Sequence, residues 1–202
     1  MSDKYANFAE LSKIEAPEHY RIESEYRRSK LVIVAPHGGD IEPGTSEICR
    51  RIAGREFSWY SFEGIKTADN ADLHITSTRF DEPRCLELLA STPLVLAVHG
   101  ERSQTDTAFI GGLHLECIAG IQSNLEDAGF DVRKHSSPEL QGKDPRNICN
   151  KGTLGRGVQL ELARALRQSF FFGISRRDRV RATSRFYAFC DAIRDALEKA
   201  SI

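Results

Sequence analysis

A chain of 202 residues, 40% hydrophobic and with a formal net charge of −1, suits one compact domain with a sizeable core. Its overall field draws neither nucleic acid nor a membrane surface, and no apolar run is long enough to span a bilayer. The first residues lack a basic stretch followed by an apolar one, so no signal peptide is read; five scattered cysteines without a CxxC pair read as reduced, mostly buried thiols of a cytoplasmic protein.

Residues 1–30 are polar and charged and are expected to form an N-terminal arm with one short helix, leaving residues 31–202 as a single domain. The run Leu31-Val32-Ile33-Val34-Ala35 is apolar on both faces, as a strand in a covered, mainly parallel sheet should be. A helix is predicted from Thr45 or Ser46, where a hydroxyl can cap the first turn, to Gly54. Residues 57–62 are aromatic-rich and residues 72–78 alternate, so both read as strands; a helix over 82–90 tolerates Pro83 in its first turn. Leu94 to His99 is a second buried strand. A short strand at 108–110 precedes a helix over 113–128, with Cys117, Ile121 and Leu125 on one face and Gly129 as C-cap. Residues 130–133 read as a strand. Residues 136–157, rich in Pro, Gly, Asn and Asp, form a long loop of the kind that often carries function. Residues 158–162 alternate, with Glu161 opposite the leucines. A last helix is predicted from Ser175, with Asp178 as capping-box partner and Phe186, Cys190, Ile193 and Leu197 as its buried stripe. Interleaved strands and helices imply an α/β domain of three layers, a mixed, mainly parallel sheet flanked by helices.

Two of these strands end in histidine. His37 follows the first into Gly38-Gly39-Asp40-Ile41-Glu42-Pro43-Gly44, and His99 closes another. Loops at the carboxyl ends of strands are where α/β proteins place ligands. Two His and one Glu are the donor set of a catalytic zinc site with an open fourth position, so His37, Glu42 and His99 are the candidate ligands of one Zn²⁺ per chain. Asp40 and Glu47 are rival carboxylates: Asp40 could hold the second ring nitrogen of a ligand His, while Glu47 suits the first turn of a helix. Hydrolysis would also need a general base. Glu161 is the candidate, because a carboxylate alternating out of an apolar strand is costly without work or a partner; the bland alternative is an ion pair with Arg164 or Arg167. His74 could face the same cleft or be a packed structural His. His19, His114 and His135 carry no local signal and read as surface or helix residues.

The segments Ala-Pro-His-Gly-Gly-Asp-Ile-Glu-Pro-Gly-Thr-Ser-Glu, Leu-His-Ile-Thr-Ser-Thr, Val-His-Gly, Asn-Ile-Cys-Asn-Lys-Gly and Gly-Val-Gln-Leu-Glu-Leu, in that order, resemble the phage-type poly-γ-glutamate hydrolase family. The similarity runs from about Lys30 to about Arg167. It implies a compact relative of the zinc carboxypeptidases, with zinc on His37, Glu42 and His99 and with Glu161 as catalytic carboxylate. Larger carboxypeptidases put two residues between the first His and the Glu; here four intervene, so the ligand loop must curl differently.

The expected reaction is zinc-dependent hydrolysis of γ-glutamyl amide bonds in poly-γ-glutamate. A polyanion meeting a chain of net charge −1 needs local basic groups. Arg146 next to Asn147 is the candidate grip for an α-carboxylate, Arg giving a bidentate pair and Asn neutral donors, with His74 at the cleft. The alternatives are a related zinc amidohydrolase or peptidase on a small or cell-wall substrate, and a non-catalytic phage-derived binding protein. The run Arg176 to Arg181 reads as a solvated face rather than a nucleic-acid surface, since no aromatic stacking platform accompanies it. A monomer without nucleic-acid or membrane partners is expected, released by lysis if phage-encoded.

Overall fold

Alternation along the buried strands sorts their side chains onto two separate cores. The computed structural model describes residues 3–200. Its strands are β1 (Tyr20–Glu25), β2 (Leu31–Gly39), β3 (Ser58–Gly64), β4 (Leu94–Gly100), β5 (Thr107–Gly112), β6 (Asp131–Arg133) and β7 (Val158–Leu162). Its helices are α1 (Phe8–Ile14), α2 (Thr45–Ala53), α3 (Pro83–Ala90), α4 (Leu115–Asp127), α5 (Arg164–Ser169) and α6 (Ser184–Lys199). The strands form one sheet in the order β1–β3–β2–β4–β7–β5–β6. The central β3, β2, β4 and β7 run parallel, while β1 pairs antiparallel with β3 and β5 antiparallel with β7. Leu31, Ile33, Leu96, Val98, Leu160 and Leu162 face a core shared with α2, α4 and α6. Val32, Val34, Val95 and Ala97 face a second core with Phe8, Leu73, Ile75, Phe80 and Leu89. Helices or packed loops thus cover both faces, which is why these strands read as continuous apolar runs.

Several boundaries differ from the sequence reading. Residues 72–78 are no strand. A 3-10 turn, Asn70–Leu73, leads into irregular chain whose Leu73 and Ile75 are buried; the alternation marks burial on one side without a ladder partner. Ser175 Oγ does meet Asp178 Oδ2 at 2.5 Å, but the pair frames only the single turn Asp178–Val180. An antiparallel bridge between Phe171 and Ala182 then extends the chain, and α6 begins at Ser184 with Thr183 as its cap. Helix α5 and strand β1 carry too little apolar periodicity to be read in advance. All five cysteines are free and buried, and no helix among the described residues is long and apolar enough to cross a membrane.

The described part of the segment read as a polar arm, residues 3–30, is built into the domain. β1 pairs along its length with β3, and Tyr5, Phe8 and Leu11 are buried in the second core. An ionic cluster pins this segment. The Tyr5 hydroxyl donates to Glu15 Oε1 at 2.5 Å, His19 Nδ1 lies 2.6 Å from Glu15 Oε2, and Lys66 and Lys4 stand 3.5 and 3.6 Å away. The Tyr5 bond, with His19 and the two lysines, outweighs burial and holds the Glu15 carboxyl at about 2, against an ordinary 4.5. A depressed carboxylate stabilises the fold fully above its unfolded value and loses that contribution as pH falls through the folded one. Urea midpoints should therefore drop between pH 4.5 and 2. The drop should be shallower in Glu15→Gln, which is less stable at neutral pH; an unchanged slope would remove Glu15 from the anchor.

Candidate metal centre and active site

The sheet brings three of the predicted residues together because of one irregularity. On β2, Leu31, Ile33 and Ala35 face the helical core, so strict alternation would send His37 the same way. Between Ala35 and Gly38 the register with β3 slips: Ala35 pairs with Ser61 but Gly38 with Glu63, leaving one extra residue on β2. Pro36 lies in this bulge, where its missing N–H costs no ladder bond. The bulge re-aims His37 to the opposite face, beside Ile75. On β4, His99 reaches that face by ordinary alternation. Glu161 on β7 does too, in register with His99.

The loop after the bulge is pinned at each turn. The Glu42 N–H donates to the His37 carbonyl at 3.0 Å, and Thr45 Oγ1 donates to the Glu42 carbonyl at 2.9 Å. Thr45 therefore braces the loop rather than capping α2, whose N-cap is Gly44 at φ +101°. Gly39, at φ +63°, lies so close to Gly64 that a Cβ would stand 2.4 Å from the Gly64 carbonyl oxygen. The buried Arg167 guanidinium donates to the carbonyls of Pro43, Leu162 and Glu101 at 2.5, 3.0 and 3.1 Å, tying the loop to the ends of β7 and β4. Four intervening residues are thus what a bulge followed by a tight turn needs to return Glu42 to His37.

His37 and His99 are each 2% exposed. His37 Nδ1 lies 3.1 Å from His99 Nδ1 and 3.1 Å from Glu42 Oε1, and His99 Nδ1 is 3.9 Å from Glu42 Oε2. The second ring nitrogen of His37 fixes its tautomer. His37 Nε2 sits 2.8 Å from the Ile75 carbonyl, which can only accept, so Nε2 carries a hydrogen and Nδ1 turns its lone pair to the cluster. His99 Nε2 meets Ser77 Oγ at 3.2 Å. Ile75, not Asp40, orients the candidate ligand His37. Glu42 Oε2 also accepts from the Gly100 N–H at 2.7 Å.

Three lone-pair donors crowded in this way repel one another unless a positive charge lies among them. The charges say the same. Burial acts against charge on all three, yet Glu42 is held at about 2 by the His37 charge. Glu42 in turn raises His37, and burial followed by the His37 charge pushes His99 down to about 3. The field of the three groups thus favours a positive charge among them. Two nitrogens on a tetrahedral ion at about 2.0–2.1 Å stand roughly 3.3 Å apart, close to the observed 3.1 Å. The residues fit a zinc-type ion.

His74 stacks on His37 with ring centroids 4.0 Å apart; its Nδ1 meets Asp3 Oδ1 at 2.7 Å and its Nε2 stands 3.8 Å from Glu42 Oε1. It borders the cluster and keeps partial exposure. Glu161 is buried without an ion pair among the described residues, because Arg167 spends its donors on carbonyls and Arg164 does not reach it. Burial and the charges of Glu42 and Glu101 raise its carboxyl well above the ordinary range. The substrate grip is not assembled as expected. Arg146 is exposed and paired with Asp144 at 2.7 Å. Asn147 is buried, donating to Gln159 Oε1 at 2.8 Å and accepting from the Cys149 N–H at 3.1 Å. Gln159, given no role in the sequence reading, donates to Glu161 Oε1 at 3.0 Å; its shared parity with Glu161 on β7 was the available signal.

Asp40 and Glu47 lie off the centre, held by Arg179 and, for Asp40, Arg176. Arg179 is a buried clamp on the β2 loop, not part of a solvated face. His114 is also buried, its Nδ1 accepting from the Cys117 N–H at the start of α4.

A model of the poly-γ-glutamate hydrolase family matches residues 5–192. Among proteins of Bacillus subtilis (strain 168), the UPF0714 protein YmaC is 40% identical over 200 residues, spanning 98% of this chain and 85% of the relative. The SPbeta prophage-derived UPF0714 protein YoqZ is 41% identical over 171 residues, 84% of this chain and 62% of the relative. A bacteriophage poly-γ-glutamate hydrolase structure superposes with TM-score 0.93 at 32% identity, covering 98% of both chains. The zinc-free apo structure of YndL superposes with TM-score 0.94 at 36% identity over the whole of both chains. Fold and likeness together define a hydrolase with an α/β sheet. The chain belongs to the poly-γ-glutamate hydrolase family.

Proposed function

We propose that this chain hydrolyses the γ-glutamyl amide bonds of poly-γ-glutamate with one zinc ion held by His37, Glu42 and His99. The observation that carries the reading is that His37 Nδ1 lies 3.1 Å from both His99 Nδ1 and the Glu42 carboxylate, with the far nitrogen of His37 fixed by a backbone carbonyl. A zinc-free form of the similar YndL supports zinc as the metal. When bound, such an ion supplies Lewis acidity and lowers the pKa of water.

The chain's own residues do the rest. Glu161 takes the proton of the attacking water and returns it to the departing α-amine. Its buried setting keeps the carboxyl's affinity for a proton high, as a group that must both accept and give requires. A dication held by His37, Glu42 and His99 would lower that affinity. His74, oriented by Asp3 at the edge of the cluster, borders the space a substrate would enter. Arg167 holds the Glu42 loop and the ends of β4 and β7 in one geometry.

Purified poly-γ-glutamate should shorten on incubation with the zinc-loaded protein. A chelator should stop this and added Zn²⁺ restore it. Cleavage of α-linked polyglutamate with the γ-linked polymer left intact would overturn the substrate.

A further inference from the structure

The carboxylate proposed as general base is held at one oxygen only, by a chain of amides whose direction is fixed at both ends. At the far end, the Cys149 N–H, which can only donate, points 3.1 Å to Asn147 Oδ1. The oxygen of that amide is therefore assigned, and its Nδ2 must face the other way. Nδ2 donates to Gln159 Oε1 at 2.8 Å, which assigns the second amide. Gln159 Nε2 then presents its two hydrogens to the Leu140 carbonyl at 3.2 Å, which can only accept, and to Glu161 Oε1 at 3.0 Å. Both amides are buried, Asn147 at 4% and Gln159 at 2% exposure, so water does not compete for these bonds. Gly142 lines the same chain: a Cβ there would stand 2.8 Å from Gln159 Cβ. Among the described residues no donor reaches Glu161 Oε2, and that atom is not sealed from solvent.

Resting on the proposed role of Glu161, we infer that Asn147 and Gln159 are positioning residues that restrict its proton transfer to Oε2. The N–H held at Oε1 occupies one lone pair of that oxygen and lowers its affinity for a proton, which leaves the donor-free Oε2 the more basic oxygen. In the forward step a water O–H bond breaks and an Oε2–H bond forms while the water oxygen bonds to the amide carbon. In the second step the Oε2–H bond breaks as the amine N–H bond forms and the C–N bond breaks, and the Glu161 carboxylate is regenerated. Without the chain, Oε1 and Oε2 would compete for the proton.

The test is a mutant cycle on the zinc-loaded protein with purified poly-γ-glutamate, reading kcat, KM, zinc content and melting separately. Gln159→Leu is expected to lower kcat about 10–100-fold, the loss typical of removing a residue that orients a reacting group, with KM and zinc content unchanged. Asn147→Asp is the isosteric control. Its carboxylate cannot donate, so Gln159 must turn its amide and present Oε1 to Glu161; the same fall in kcat is expected. In a Glu161→Gln background, either change should leave the residual rate as it was, because the effect passes through Glu161 alone. Should Gln159→Leu fail to fold, the kcat of Asn147→Asp decides. If both single variants keep kcat within about threefold while Glu161→Gln abolishes hydrolysis, the positioning role is overturned and the proposed function stands. Full hydrolysis by Glu161→Gln overturns the proposed function and the relay with it.

Discussion

Replacing Glu161 by Gln should lower kcat about 10²–10⁴-fold, the usual contribution of a positioned general acid–base group. One metal should remain per chain, with the fold intact. The substitution keeps the shape and the oxygen that accepts from Gln159, so it removes the proton-accepting function and little else. Glu161 pairs with His99 across the β4–β7 register but does not belong to the ligand cluster, so metal binding should be unaffected. Stability should hold or rise, because an unpaired buried carboxyl is costly. Steady-state kinetics, elemental analysis and thermal melting on one preparation read all three. Residual activity above about a tenth of wild type would place the base elsewhere.

The second large effect is on the metal. His99→Ala should weaken zinc binding well beyond the roughly 10–100-fold loss that follows removal of an outer partner of a ligand, and activity should fall with it. Truncation removes one of three convergent donors. It leaves His37 and Glu42 as an ordinary buried pair 3.1 Å apart, which is satisfied without a metal. The variant should therefore fold while losing stoichiometric zinc on dialysis. Retention of one tightly held ion with normal turnover would mean that His99 is not a ligand.

Much of this centre was legible in the sequence, for a simple reason. His37, His99 and Glu161 each sit at or near the end of an apolar strand, and parallel strands deliver such positions to one edge of a sheet. The alternation at residues 158–162 gave the correct face for Glu161, since Leu160 and Leu162 do enter the helical core. The face of His37 was not legible. Parity with Leu31 and Ile33 points the wrong way, and only the slip in pairing with β3, a long-range property, corrects it. The same limit explains residues 72–78, where alternation recorded the burial of Leu73 and Ile75 but not the absence of a neighbouring strand. Arg146 and Asn147 were judged by side-chain chemistry alone. One is spent on Asp144 at the surface and the other turned inward, neither of which a local window records. In the N-terminal segment, single apolar residues such as Tyr5, Phe8 and Leu11 are enough to anchor a stretch whose composition is that of a tail.

A crystal structure of the zinc-loaded protein, with anomalous data collected on both sides of the zinc edge, goes to the heart of this account. One strong peak is predicted among His37 Nδ1, His99 Nδ1 and the Glu42 carboxylate, with both rings still held from behind by Ile75 and Ser77. A peak at any other cluster, or a fully active protein with no ordered ion at that position, would contradict it.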